Sequence, residues 1–207
     1  MIHIDDNFFN DPYQVRNHLI KKKDWCPDIN YVGYRSYTVP EFIQNTILSK
    51  AKSIIQEDDL SFAQNPTFQY STKEYLDGIY HRDIDEGRYI CIVYLALDPP
   101  SDSGTEVCDS EQLEHPIGNN TQEKRDFLAD PTNLIKRYRY GRLRRNVNSF
   151  YKPIMKVPNK FNRGLIFPAS NFHRAQNSFG TSIVNSRMTV VSFLGGKMGS
   201  DNRLYEV

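Results

Sequence analysis

The stretch 79–97 constrains this chain most. It sets His81 and Asp83 two residues apart, follows them with the charged turn Asp85-Glu86-Gly87-Arg88, and then runs through nine apolar residues, 89–97. An apolar run of that length, rich in β-branched and aromatic residues, predicts a strand. In extended backbone, residues i and i+2 project to the same face, so His81 and Asp83 can reach one point in space. An imidazole beside a carboxylate is two thirds of a facial metal site. Such a site still needs a third ligand and a body able to hold it.

A chain of 207 residues is long enough to bury a core as one domain without disulfide or metal staples. Aromatic residues make up 13% of it, mostly Tyr and Phe, which favour strands. Cys26, Cys91 and Cys108 show no paired spacing, and Cys91 inside the apolar run reads as a buried free thiol. There is no charged-then-apolar leader and no run long enough to span a bilayer, so the expectation is a cytoplasmic protein without a membrane partner. The formal net charge of +1 conceals a polarity. Residues 1–130 carry 23 acidic and 12 basic side chains, whereas residues 131–200 carry 13 basic side chains and no acidic one. That asymmetry suits steering of an anionic small molecule or a polyanion toward the basic half.

Residues 1–60 predict a short strand and two supporting helices. Asp11-Pro12 starts the first helix, whose apolar stripe is Val15, Leu19 and Ile20. Pro40-Glu41 opens the second, with Phe42, Ile43, Ile47, Leu48, Ala51, Ile54 and Ile55 at helical spacing. Further on, strands are expected at 34–39, 67–71, 89–97, 154–157, 164–168 and 187–194, with 75–80 leading into His81 through a turn at Asp77-Gly78. Residues 106–153 are polar and charged, with a short helix expected near 121–128, and read as a surface insertion and candidate lid. Within them, 136–145 holds six basic residues interleaved with Tyr138 and Tyr140. Single-stranded nucleic acid is one partner for that pattern; a solvated helix or loop balancing the acidic half is the simpler reading. Residues 197–207 read as a tail. Helices first and many strands afterwards predict a mainly β chain with flanking helices: a jelly-roll core over 66–196 behind an N-terminal helical layer.

The candidate third ligand is His173, which follows the apolar strand 164–167 where a sheet edge meets a loop. His115 competes for the role but sits before Pro116 in the acidic insertion, and His3 and His18 fit the scaffold. Two histidines and one carboxylate with open positions suit ferrous iron. Arg187, fourteen residues after His173, begins an otherwise apolar strand. A guanidinium there is costly without an anionic partner, and it pairs with carboxylates through a two-pronged fork. With no acidic residue in 131–200, a bound dicarboxylate would fill that role.

This combination resembles the iron(II)- and 2-oxoglutarate-dependent dioxygenase superfamily, and in particular its prolyl-hydroxylase-like branch. The shared pattern is His81-Arg82-Asp83, the distal His173, and Arg187 beyond it. Residues 88–95, ending in Tyr94-Leu95, look like that branch's strand, and Gly104-Thr105, Gly164-Leu165-Ile166-Phe167 and the opening Asp6-Asn7-Phe8-Phe9-Asn10-Asp11-Pro12 are also similar. The likeness covers 66–196 closely and the N-terminal part loosely. It implies a double-stranded β-helix, a cupin-like jelly roll, using iron(II), 2-oxoglutarate as cosubstrate and O2. His81, Asp83 and His173 would hold the metal. Arg187 would take the distal carboxylate, helped by Tyr94. Tyr70 would line the same pocket and Thr189 would stand in for the hydroxyl of an Arg-x-Ser pattern, with ordinary strand packing as the competing account of all three. The implied reaction hydroxylates a protein residue or small metabolite and releases succinate and CO2, with no catalytic residue beyond the metal ligands. Ser103 replaces the usual second glycine, and the 106–153 insertion is longer and more charged than in small members, which bears on substrate choice. Two other readings stand beside this one: a cupin-like metal hydrolase or isomerase, and a nucleic-acid or polyanion binding module with a vestigial metal site.

Overall fold

The computed structural model describes residues 1–27, 31–118 and 120–196; the expected tail 197–207 lies outside the described residues. The N-terminal part comprises β1 (His3–Asp5), α1 (Pro12–Lys21), β2 (Cys26–Pro27), β3 (Tyr34–Ser36) and α2 (Glu41–Ile55). Then come β4 (Phe62–Ser71), β5 (Tyr89–Tyr94), β6 (Gly104–Cys108), α3 (Gln122–Ala129) and α4 (Leu134–Asn148). The chain closes with β7 (Pro153–Pro158), β8 (Gly164–Pro168), β9 (His173–Gln176) and β10 (Arg187–Leu194). No described helix is long and apolar enough to cross a membrane.

Two antiparallel sheets face one another. The larger runs β1-β8-β5-β10-β4-β3-β2 and the smaller β7-β6-β9. Alternation along the central strands sorts their side chains. Cys91 and Val93 of β5 join Met188, Val190 and Leu194 of β10 on the outer face, under Val15, Leu19, Ile43, Ile47 and Ala51 of α1 and α2. This is the expected helical layer. Asp11 caps α1 by accepting from the Gln14 N–H at 2.9 Å, with Pro12 behind it. Ile90, Ile92, Tyr94 and Phe193 point inward, where they meet Leu165 and Phe167 of β8 and Val107 and Val157 of the small sheet.

A third apolar cluster lies behind the small sheet. Phe127 and Leu128 of α3 and Tyr140 and Val147 of α4 pack there with Tyr75, Ile79, Tyr80, Cys108, Tyr151 and Phe172. The inserted region therefore differs from the surface flap expected for it. It is a helical pair with its own core, and the basic run 136–145 lies within α4. Residues 106–108, expected to begin the insertion, instead belong with Gly104 and Thr105 to the central strand β6 of the small sheet. Thr105 and Val107 face inward, while Glu106 faces outward and is buried by Tyr80, Lys156 and Arg174. Close approach of β7 requires Gly104, where an added Cβ would lie 2.1 Å from the Val157 carbonyl oxygen.

The segment 75–80 leads into His81 without forming a strand of its own. Its backbone polar groups are met by α4 instead: Tyr80 N–H donates to Asn148 Oδ1 at 3.1 Å, and Asn148 Nδ2 donates to the Gly78 carbonyl at 3.0 Å. If the inserted helices are integral to the core, Phe127→Ala should cost about 3–5 kcal/mol of unfolding free energy. Urea denaturation reads this directly, and a loss below about 1 kcal/mol, typical of surface positions, would place the helical pair outside the core.

Candidate functional site

Backbone pairing assembles the two histidines. His81 N–H donates to the His173 carbonyl at 3.1 Å and His173 N–H donates to the His81 carbonyl at 2.8 Å, forming an isolated antiparallel bridge. Directly paired residues present their side chains on one face, and the two imidazole centroids lie 4.4 Å apart. Asp83 is anchored separately, its N–H donating to the Ala169 carbonyl at 3.0 Å. His81, Asp83 and His173 consequently place one ligand atom each within 4.8 Å of one another. His115 lies outside that cluster, accepting at Nδ1 from the Ile117 N–H.

The donors are oriented for a metal. Nδ1 of His81 faces the Ile79 carbonyl at 2.9 Å and Nδ1 of His173 faces the Asn171 carbonyl at 3.2 Å, in each case two residues upstream. These contacts assign the Nδ1–H tautomer and leave both Nε2 lone pairs inward. The Nε2 atoms lie 3.8 Å and 3.4 Å from the two oxygens of Asp83. Burial pushes the His81 pKa down to about 4, with His173 and Lys124 adding to the effect and Asp83 opposing it. For Asp83, burial acts upward but is outweighed by His81, His173 and Arg35, which hold the carboxyl well below its usual range. At neutral pH, His81 is a neutral imidazole and Asp83 a carboxylate, the forms a divalent cation requires. The donor set fits a 2-His-1-carboxylate iron site.

The same cavity, of about 100 Å³, takes in Arg187 and Thr105. Arg187 is 7% exposed, its Nε has no hydrogen-bond partner, and no acidic side chain pairs with it among the described residues. Other bases of the acid-free segment do find acids from the first half. Arg144 pairs with Asp77, Lys156 with Glu106, Lys160 and Arg163 with Asp6, and Arg174 with both Asp77 and Glu106. Arg187 stands apart. Its burial depresses its pKa, with Tyr94 and Asp77 opposing, yet a guanidinium remains charged in a protein.

The remaining expected residues divide. Tyr94 is fully buried on the interior face, with Arg187 5.8 Å over its ring and its hydroxyl donating to Thr105 Oγ1 at 2.6 Å. Thr189 pairs with Tyr94 across the strands, and its buried Oγ1 has no hydrogen-bond partner. Tyr70 does not join them. It pairs with Met188, whose side chain belongs to the helix-covered face, and it packs between Tyr34 and Trp25 at centroid distances of 4.8 Å. Its neighbours Gln69 and Ser71 line the cavity, because alternation along β4 turns them inward and Tyr70 outward. Sequence reasoning missed Gln69, Ser71, Arg35 and Lys124 as lining residues. The only signal for Gln69 and Ser71 was the odd-even phase of β4, and Lys124 sits in a polar stretch that resembles a solvated surface.

A lone buried cation weakens the unliganded fold. Arg187→Met should leave the metal-free protein as stable as the parent or more stable, by about 1–3 kcal/mol in urea denaturation. A clear loss of stability would mean that Arg187 serves the fold rather than a ligand.

No protein-family model and no curated protein matches the chain. Solved structures match in shape. HygX from Streptomyces hygroscopicus, with nickel, 2-oxoglutarate and hygromycin B bound, superposes with a TM-score of 0.59 at 11% identity, covering 98% of this chain and 90% of that one. A prolyl hydroxylase from Trichoplax adhaerens, in complex with a hypoxia inducible factor oxygen degradation domain peptide fragment, gives 0.56 at 11% identity, over 93% and 83%. An oxidoreductase of the 2OG-Fe(II) oxygenase family from Burkholderia pseudomallei gives 0.54 at 11% identity, over 90% and 80%. At such identities the likeness is one of architecture: the chain has the double-stranded β-helix fold of the iron(II)- and 2-oxoglutarate-dependent oxygenases.

Proposed function

We propose that this chain is an iron(II)- and 2-oxoglutarate-dependent oxygenase that hydroxylates its substrate. One observation carries the reading: the unpaired, buried Arg187 shares a cavity with the His81, Asp83 and His173 cluster. A metal hydrolase or isomerase using those three ligands has no use for such a guanidinium. A dicarboxylate cosubstrate does. The similar structure of HygX contains nickel and 2-oxoglutarate, which supports the same assignment here.

His81, Asp83 and His173 would hold iron(II), which supplies O2 activation coupled to conversion of 2-oxoglutarate into succinate and CO2. The chain's own residues bind, orient and exclude water. Arg187 takes the distal carboxylate of 2-oxoglutarate through its fork. Tyr94 positions the Thr105 hydroxyl beside it, and Thr189, two residues along the strand that carries Arg187, offers a second hydroxyl. Ile90, Ile92, Val191 and Phe193 contribute apolar surface to the cavity wall. Burial keeps the Tyr94 phenol protonated and a donor, its pKa raised despite Arg187 and Thr105. The substrate in this proposal is a protein residue or a small metabolite, and the three free cysteines fit a reducing, cytoplasmic setting.

Anaerobic addition of iron(II) and 2-oxoglutarate should produce a weak visible charge-transfer band in the parent and none in His81→Ala. Arg187→Met should need at least about tenfold more 2-oxoglutarate for the same band, the loss expected for one charge-assisted pair. A band that persists in His81→Ala, or unchanged 2-oxoglutarate affinity in Arg187→Met, would sink the assignment. With a turned-over substrate, label from 18O2 in the product marks hydroxylation; succinate release without label would mean another oxidative outcome.

A further inference from the structure

The frame of the metal site uses one face of α4. Tyr140 and Val147 enter the aromatic cluster behind the small sheet, and Arg144 pairs with Asp77. The opposite face presents Ile135, Tyr138, Arg139 and Arg142, spaced i, i+3, i+4 and i+7 and therefore on one stripe. Ile135 is 65% and Tyr138 67% exposed. Such side chains in one stripe of a surface helix mark a face that another surface covers. At the sides of the stripe, Lys136 pairs with Asp130 and Arg137 donates to the Glu74 carbonyl. Arg139 and Arg142 are exposed, and neither has an acidic partner among the described residues.

Tyr138, Arg139 and Arg142 form one wall of a groove between α3 and α4, about 730 Å³ in volume and sharing no lining residue with the metal cavity. The α3 wall is acidic, carrying Glu123 and Asp126. Asp126 accepts from Gln122 Nε2 at 2.7 Å, but neither carboxylate pairs with an arginine across the groove. Two carboxylates and two guanidiniums thus line one groove without meeting. That balance decides between occupants. Single-stranded nucleic acid suits the basic and aromatic composition of the run, yet it would bring phosphates against Glu123 and Asp126. A basic partner would meet Arg139 and Arg142. A second copy of this chain answers both walls, because a two-fold axis sets one patch against itself, residue i on j and j on i. We propose that the α3–α4 groove is a self-association surface. The Arg139 and Arg142 wall of each copy seats against the Glu123 and Asp126 wall of the other, with Ile135 and Tyr138 covered between them. Removal of that apolar surface from water supplies affinity, and the crossed charges fix register and partner choice.

The test follows the mass of the full chain by sedimentation equilibrium, from micromolar to near-millimolar concentration. The mass should rise with concentration toward twice that of the chain, and added salt should weaken the association. Arg142→Glu and Asp126→Arg each set like charges against one another at both symmetric copies of the contact. Each should therefore raise the dissociation constant at least about tenfold. Mixed in equal amounts, the two variants should associate with each other, since Glu at 142 of one then meets Arg at 126 of the other. The chain carrying both reversals should likewise recover self-association. Urea midpoints close to the parent's verify the fold of each variant. If a reversed chain does not fold, Tyr138→Ser decides, and it should weaken the dimer without altering charge. A parent that stays monomeric across the range overturns the proposal, as does a dimer indifferent to both reversals or a mixture that fails to associate. A monomer that binds single-stranded oligonucleotide through Arg139 and Arg142 also overturns it and assigns the basic wall to a polyanion. The measurement needs neither metal nor cosubstrate, so its outcome is distinct from that of the oxygenase reading.

Discussion

The candidate site depends on one reciprocal pair of backbone hydrogen bonds, between His81 and His173. It ties the segment between β4 and β5 to the first residue of β9, joining a connection of the large sheet to the edge of the small one. Without it, His81 would sit on an irregular loop whose own backbone makes no ladder. What holds that loop is the inserted helical pair. Asn148 of α4 satisfies both the Tyr80 N–H and the Gly78 carbonyl. Behind His173, Arg174 reaches Glu106 on β6 and Asp77 in the same loop, and Asp77 also takes Arg144 of α4. One charged network braces both histidines from the rear. The insertion is therefore part of the metal site's frame.

That network also explains the charge polarity of the chain. The acid-rich first half and the acid-free segment 131–200 interlock in the fold, Asp6, Asp77 and Glu106 each taking bases from the segment. Much of the basic excess is consumed internally, which weakens the expectation of a broad surface field steering polyanions. It also alters the argument for Arg187. The lack of acids within 131–200 did not by itself leave that residue unpaired, because other bases of the segment found partners far away in sequence. Arg187 has no acidic partner among the described residues because it points inward, where Tyr94 and Ser71 are its neighbours. Long-range folding, not local composition, isolates it.

Spacing rules of short range made the metal set readable. His81 and Asp83 share a face because extended backbone repeats every two residues, and His173 and Arg187 were visible because each borders a plainly apolar strand. The helices of the N-terminal layer carried their own caps and stripes. β6 was hidden because its outward residue, Glu106, is a carboxylate buried by partners from β7, β9 and the loop before His81, and nothing local distinguishes it from a solvated one. What holds the run 75–80 was not legible either, because Asn148, nearly seventy residues later, captures its backbone. Tyr70 failed for a subtler reason. Its strand was foreseen, but which of two faces points inward depends on register with β10, and register is a property of the sheet.

Arg187 and Lys124, both buried at the cavity, place different demands on the fold. Arg187 can be carried on a central strand because β10 is held on both sides by β4 and β5, so the cost of its isolation is spread through a well-packed sheet. Lys124 sits at the start of an eight-residue helix whose hold on the body comes from Phe127 and Leu128 packed against Tyr140 and Tyr75. Its position is thus set by the aromatic cluster behind the small sheet, the same cluster that supports His81 through Ile79 and Tyr80. Loosening that cluster would move a metal ligand and a cation at the cavity mouth together.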